Sequence, residues 1–239
     1  VMVERLILLP GWGLGCAPLQ PLVDALGPGL QVDIEPLPLL EHGQLEWCLD
    51  RLDERLPRGA WLGGWSLGGM LACLLAARRA TDCPGLLTLA SNASFVTRDD
   101  WPAAMPVSTF EAFYSSYRQH PTATLKRFAM LCSQGATDAR GLSRTLLAQA
   151  GGDSLAGLDL LATLDTRSAL SQFEGPQLHL FASADALVPA GAAAAVQAVQ
   201  PAAAVRSVEG ASHAVVMERP GQVAALLLGF MEAQRGRAA

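Results

Sequence analysis

Residues 60–65 read AWLGGW, residue 66 is serine, and residues 67–79 read LGGMLACLLAARR. The first run is short and apolar, as a strand buried on both faces is. The last is long and apolar. It ends in two arginines, which suit the negative pole of a helix. Strand and helix therefore meet at a single residue, with no loop between them. A chain reverses that sharply only where side chains are missing, and Gly64 and Gly68 flank Ser66 as G-x-S-x-G. Such a turn holds the Ser66 hydroxyl proud of the sheet. It aims the Leu67 amide, first in the helix, at the point where negative charge would collect. A serine that merely caps a helix also fits the bare pattern. The strand before it and the helix after it favour a nucleophile.

The rest of the chain supplies a frame for this turn. Strands are expected over residues 5–10 (RLILLP), 31–36, 60–65, 85–90, 177–182 (QLHLFA) and 203–208. Helices are expected over 17–27, 44–56, 67–79, 189–199 and 218–234, with Pro189 and Pro220 near the last two starts. Strand and helix alternate, which predicts a mostly parallel sheet with helices on both faces. The rhythm breaks between Phe95 and Leu170, where only helical patterns occur, near 107–117, 121–133, 136–150 and 154–163. The expected organisation is a core of residues 1–94 and 171–239 carrying a helical lid insertion, 95–170.

Composition removes several function classes. Of the 239 residues 51% are hydrophobic and 16% charged, which excludes global disorder. The net charge is −5 and Lys126 is the one lysine, so nucleic acid is not an expected partner. The five cysteines are an odd number at wide spacing without CxxC, against a disulfide frame or a zinc site and for a reducing compartment. Cys73, on the helix after Ser66, is expected to be core. No run of apolar residues is long enough to span a bilayer, and no secretory signal opens the sequence. The expectation is a cytoplasmic, soluble monomer with no metal or other cofactor and no membrane contact.

A serine hydroxyl attacks only when a base takes its proton and a third group orients that base. The chain has four histidines. His42 falls in an early loop, His120 in the insertion, and His179 inside a strand, where packing explains it. His213, in EGASH, follows the last strand and reaches the sheet edge that carries Ser66. The acid should follow an intermediate strand, and Asp185 does so directly after QLHLFA. Asp165 is the alternative, though it lies in the helical stretch. Ser66, Asp185, His213 is the chain order of the α/β-hydrolase fold. The second oxyanion donor belongs in the loop after the first strand, where Gly11-Trp12-Gly13 offers the Trp12 amide beside that of Leu67.

PGWG (10–13), GGWSLGGM (63–70), LASNASFVTRDDWP (89–102), LKRFAMLCSQG (125–135) and the pair SADALVP and SHAVVMERP resemble the esterase family of biotin synthesis. Those enzymes cleave the methyl ester of pimeloyl-[acyl-carrier protein]. GWSLGG is widely shared, whereas Trp12, Trp65, RDDWP and KRF…SQG discriminate. The resemblance implies substrate contacts at Trp12, Trp65, Leu67 and the lid run Phe128, Ala129, Met130, Leu131 and Cys132. It also implies contacts to the carrier protein and its phosphopantetheine arm from Arg127, Arg140 and Arg144. Charge agrees: residues 118–144 hold five basic side chains and one acidic, Asp138, within an acidic chain. Against the family pattern, the N-terminal antiparallel strands are truncated. Pro10 replaces a histidine before the oxyanion glycine, and Ala123 stands where a lid arginine is usual.

Overall fold

The computed structural model describes residues 4–38, 44–148, 150 and 155–238, so His42 lies outside the described residues. Six strands form one sheet: β1 (Arg5–Leu9), β2 (Gln31–Ile34), β3 (Trp61–Trp65), β4 (Leu86–Leu89), β5 (Gln177–Ala182) and β6 (Ala204–Val208). They are the six expected strands. Their order is β2-β1-β3-β4-β5-β6, and every neighbouring pair is parallel. Every residue of β3, β4 and β5 is buried, so both faces of the sheet are covered there.

Before β4 lie α1 (Gln20–Leu26), α2 (Leu45–Arg55) and α3 (Leu67–Arg79). Between β4 and β5 lie α4 (Val107–Gln119), α5 (Pro121–Ser133), α6 (Ala139–Leu147), α7 (Leu155–Thr163) and α8 (Arg167–Gln172). After β5 come α9 (Gly191–Val199), α10 (Val215–Glu218) and α11 (Pro220–Ala238). α1 packs with α10 and α11, while α3 lies on β1, β3 and β4 and touches α2 and α8. The order reverses beside β1, because the chain leaves it first for β2 and later for β3 on its other side. In an open parallel sheet the crevice at such a reversal, beyond the carboxyl ends of the strands, is where ligands bind. The loops after β1 and β3 flank it.

Three local features differ from the sequence expectation. The final helix is two helices, because Pro220 lacks the N–H that would continue α10 and instead opens α11. Arg79 does not answer the dipole of its own helix. Its side chain is fully buried, Nε donates to Asp53 Oδ1 (2.6 Å), and its terminal nitrogens donate to the carbonyls of Asp53, Leu56 and Pro57. It thereby satisfies the orphan carbonyls that end α2. Leu170 falls inside α8, which packs on α3 and α9, so by packing the helical segment ends near Asp165.

The two ends of that segment meet. Ser94 and Asp165 form an antiparallel bridge, and Thr166 N–H donates to the Ala93 carbonyl (2.8 Å). Arg167 ties Asp165 (2.6 Å) to Asp100 (2.8 Å) and lies over the Trp101 ring. Arg98 donates to the Thr163 carbonyl. The RDDWP stretch is therefore part of a clamp. Asp165, the alternative acid, is committed to Arg167, whose hydrogen bonds hold its carboxyl below the usual range. Among the described residues no helix is long and apolar enough to cross a membrane. All five cysteines are free, and Cys73 is buried as expected.

Candidate active site

Ser66 sits between β3 and α3 with φ 54° and ψ −119°, a left-handed conformation that costs a non-glycine residue roughly 1–3 kcal/mol. Its surroundings hold it there. Its N–H donates to the Leu89 carbonyl (2.9 Å), and its own carbonyl accepts from Ser91 Oγ (2.8 Å) and Gly69 N–H (2.9 Å). A Cβ on Gly64 would run into the Gly68 backbone, and one on Gly68 into the carbonyls of Leu9 and Pro10. The glycines are thus a packing requirement. The Leu67 N–H, first in α3, has no acceptor within its own helix, and points its dipole outward. The β1 loop passes directly beside this turn: a Cβ on Gly11 would lie 3.4 Å from that of Ser66.

His213 and Asp185 are joined at the same edge. His213 Nδ1–H donates to Asp185 Oδ2 at 2.7 Å, and both side chains are 1% exposed. The other carboxylate oxygen accepts the amides of Leu187 (2.7 Å) and Val188 (2.9 Å), which lock its orientation. With Nδ1 committed as a donor, the lone pair is on Nε2. That atom is buried without a hydrogen-bond partner, an arrangement suited to a base awaiting a proton. Trp65 is buried and donates from Nε1 to the His213 carbonyl (2.9 Å). Its role is to seat the histidine loop, and it does not line the cavity described next. The remaining histidines lie elsewhere. His120 is exposed between α4 and α5. His179 is buried, held between Thr88 Oγ1 (2.6 Å) and Gln177 Oε1 (3.1 Å), and burial pushes its pKa down to about 4.

Trp12 follows β1 and is buried. Its ring meets Phe113, Tyr117 and Phe128 edge to face at 5.1–5.8 Å, coupling the loop beside Ser66 to α4 and α5. Beside it lies a cavity of about 400 Å³ lined mainly by Trp12, Phe95, Met105, Phe110, Phe113, Phe128, Leu131, Leu158, Leu161 and Leu187. Of the lid run expected at the substrate, Phe128 and Leu131 line this cavity. Ala129 and Cys132 are buried in packing, and Met130 points away, 62% exposed. Phe110 and Phe113 were missed. Their apolar spacing within 107–117 was the available signal.

Met130 belongs to a second groove, with Arg127, Leu131, Arg140 and Arg144. The three arginines are brought together there, and among the described residues none is in an ion pair. Arg127 and Leu131 line both the groove and the cavity, so the two adjoin.

A strand-ended serine at a glycine-walled elbow, a carboxylate-held histidine and a parallel sheet define a class, and the chain belongs to the alpha/beta hydrolase family, whose profile matches residues 6–226. Within it, the chain is similar to pimeloyl-[acyl-carrier protein] methyl ester esterases. It is 33% identical over 244 residues to that of Xylella fastidiosa, covering 95% of this chain and 94% of the relative. It is 37% identical over 238 residues to the biotin biosynthesis bifunctional protein BioHC of Cellvibrio japonicus, covering 95% of this chain and 47% of that protein. The chain thus spans about half the length of the bifunctional relatives. Among solved structures, a bromoperoxidase from Bacillus anthracis superposes with TM-score 0.84 at 20% identity, covering 97% of this chain and 92% of that one. At that identity the likeness speaks for the fold alone. The expected fold and family resemblance are both borne out.

Proposed function

We propose that this protein is a serine carboxylesterase that hydrolyses the methyl ester of pimeloyl-[acyl-carrier protein], releasing methanol and the free carrier-bound acid for biotin synthesis. The observation that carries the chemistry is the buried Asp185–His213 pair with an unpartnered Nε2 at the sheet edge of Ser66. His213 Nε2 takes the Ser66 proton as Oγ attacks the ester carbonyl. The Leu67 and Trp12 amides hold the oxyanion. The tetrahedral adduct collapses, the C–O bond to methoxide breaks, and His213 returns the proton to it as methanol. Water then attacks the acyl-serine with His213 again as base. The acyl group leaves as a carboxylic acid that ionises at neutral pH.

The choice of substrate is supported by the relatives' names and by the adjoining groove and cavity. The apolar cavity suits an acyl chain, and the groove of Arg127, Arg140 and Arg144 suits an acidic carrier and its phosphate-bearing arm. In this reading the helical segment from about residue 95 to Asp165 is a lid on the α/β core that flanks it. The protein works as a cytoplasmic monomer on its carrier partner. Hydrolysis of methyl pimeloyl-carrier protein measured against p-nitrophenyl butyrate, with Ser66→Ala as blank, tests it. A large preference in kcat/KM for the carrier-linked ester is expected. Efficient cleavage of the small ester alone would make the protein a general short-chain esterase instead.

A further inference from the structure

The histidine loop is tied down at one point that neither the triad nor the oxyanion hole explains. Ser212, immediately before His213, is fully buried. Its N–H (2.8 Å) and its hydroxyl (2.7 Å) both donate to a single oxygen, Oε2 of Glu218. Glu218 is the last residue of the one-turn helix α10, and its side chain is only 9% exposed. Its N–H donates back to the Ala214 carbonyl (2.9 Å). The loop from Ser212 to Glu218 is therefore closed twice, once through the main chain and once through the carboxylate. The other carboxylate oxygen, Oε1, is buried with no hydrogen-bond partner, and Arg219 Nε stands 3.6 Å from it.

Both bonds fall on one carboxylate oxygen, so a single side chain fixes the N–H and the hydroxyl of Ser212 together. The arrangement makes sense as a constraint on the next residue. His213 is gripped at Nδ1 by Asp185 and at its carbonyl by Trp65, while Ala214 N–H donates to the Cys132 carbonyl (2.9 Å). Each of those contacts acts on or after His213. Before it, the chain is held at Ala211, whose carbonyl accepts from Ala184 N–H (2.9 Å), and at Ser212, where both bonds run to Glu218. Without the Glu218 bonds Ser212, which leads directly into His213, loses the anchors of both its N–H and its hydroxyl, and rotation there swings Nε2 relative to Ser66. We propose that Glu218 is a positioning residue for His213, fixing through Ser212 the backbone from which the base is aimed. This inference rests on the esterase reading above.

The contact predicts an effect on kcat and not on KM, since neither Glu218 nor Ser212 lines the acyl cavity. Misaiming a base by about 1 Å costs on the order of 100-fold, so Glu218→Ala should lower kcat on p-nitrophenyl butyrate about 10- to 100-fold with KM within about twofold. The rate at which a fluorophosphonate labels Ser66 should fall in parallel. Glu218→Gln, whose single carbonyl oxygen can accept both Ser212 bonds, should restore both rates to within about fivefold of wild type. A folded Glu218→Ala protein labelled at the wild-type rate would overturn the proposal, as would a loss that Glu218→Gln does not recover. Should Glu218→Ala fail to fold, Ser212→Ala removes one of the two bonds from the other side. A kcat loss of about 3- to 10-fold at constant KM is then expected, and no loss would overturn the proposal. Wild-type protein that is not labelled at Ser66 would sink the esterase reading itself, an outcome distinct from these.

Discussion

The elbow around Ser66 and the helices α4–α7 are held together by different parts of the chain. At the elbow, main chain meets main chain: Gly64 lies on Gly68, and Gly68 on the carbonyls of Leu9 and Pro10. Such contacts leave no room for adjustment. In α4 and α5 a stripe of each helix is buried, including Phe110 and Tyr117 in one and Thr124, Phe128 and Cys132 in the other. Side chains meet side chains there, and packing of that kind tolerates exchange as long as volume is kept. The difference teaches that the reaction is specified by backbone geometry and the substrate by surfaces, so the two should be separable by mutation.

The largest effect should come from Ser66. Ser66→Ala should lower kcat at least about 10⁴-fold while the thermal midpoint stays close to wild type; residual turnover near wild type would remove Ser66 from the chemistry. The next tests rigidity. Gly68→Ala should destabilise the fold by about 3 kcal/mol in urea titrations, whereas Met130→Ala, at an exposed position of α5, should stay within about 0.5 kcal/mol. Equal effects would erase the contrast.

Acid should weaken the sheet through His179. The unfolded ring takes a proton near pH 6.5 and the folded one only near about 4, so between those values the unfolded state holds more protons. Stability should therefore fall as pH drops from about 6.5 toward 4, by about 3 kcal/mol in all. His179→Gln should flatten that slope in denaturant midpoints taken across the range. The smallest effect belongs to the groove. Arg140→Glu with Arg144→Glu should reduce kcat/KM on the carrier-linked ester about tenfold, less at high salt, and leave p-nitrophenyl butyrate unchanged. A matching loss on both substrates would mean that the groove and the catalyst are not separable.

The same contrast decides what was legible in the sequence. Parallel strands buried on both faces announce themselves as apolar runs, and the elbow as glycines at fixed spacing, so the sheet, Ser66 and the Asp185–His213 order could all be read. The lid run could not be read residue by residue. Five consecutive residues of a helix cannot face one channel. Phe128 and Leu131, three apart, share the cavity side, while Met130 between them faces out. Arg79 misled for a related reason: its partners are carbonyls of Asp53, Leu56 and Pro57, far away in sequence, and backbone acceptors leave no trace in composition. Glu218 carries no signal that separates it from any charged residue near a helix end. Its meaning appears only when both bonds to Ser212 are seen.

The bridge between Ser94 and Asp165 makes the helical segment a detour that leaves and rejoins the core through one doorway. A detour of that kind can be exchanged as a cassette, because whatever is inserted must first bring its two ends back to the same pair of residues. The elbow would be untouched by the trade, while any new cover must again offer an acceptor to the Ala214 N–H, as the Cys132 carbonyl does, and a seat for the Trp12 ring. A lineage built on this plan can acquire a new clientele by swapping its cover, generation after generation, while inheriting the same catalyst intact.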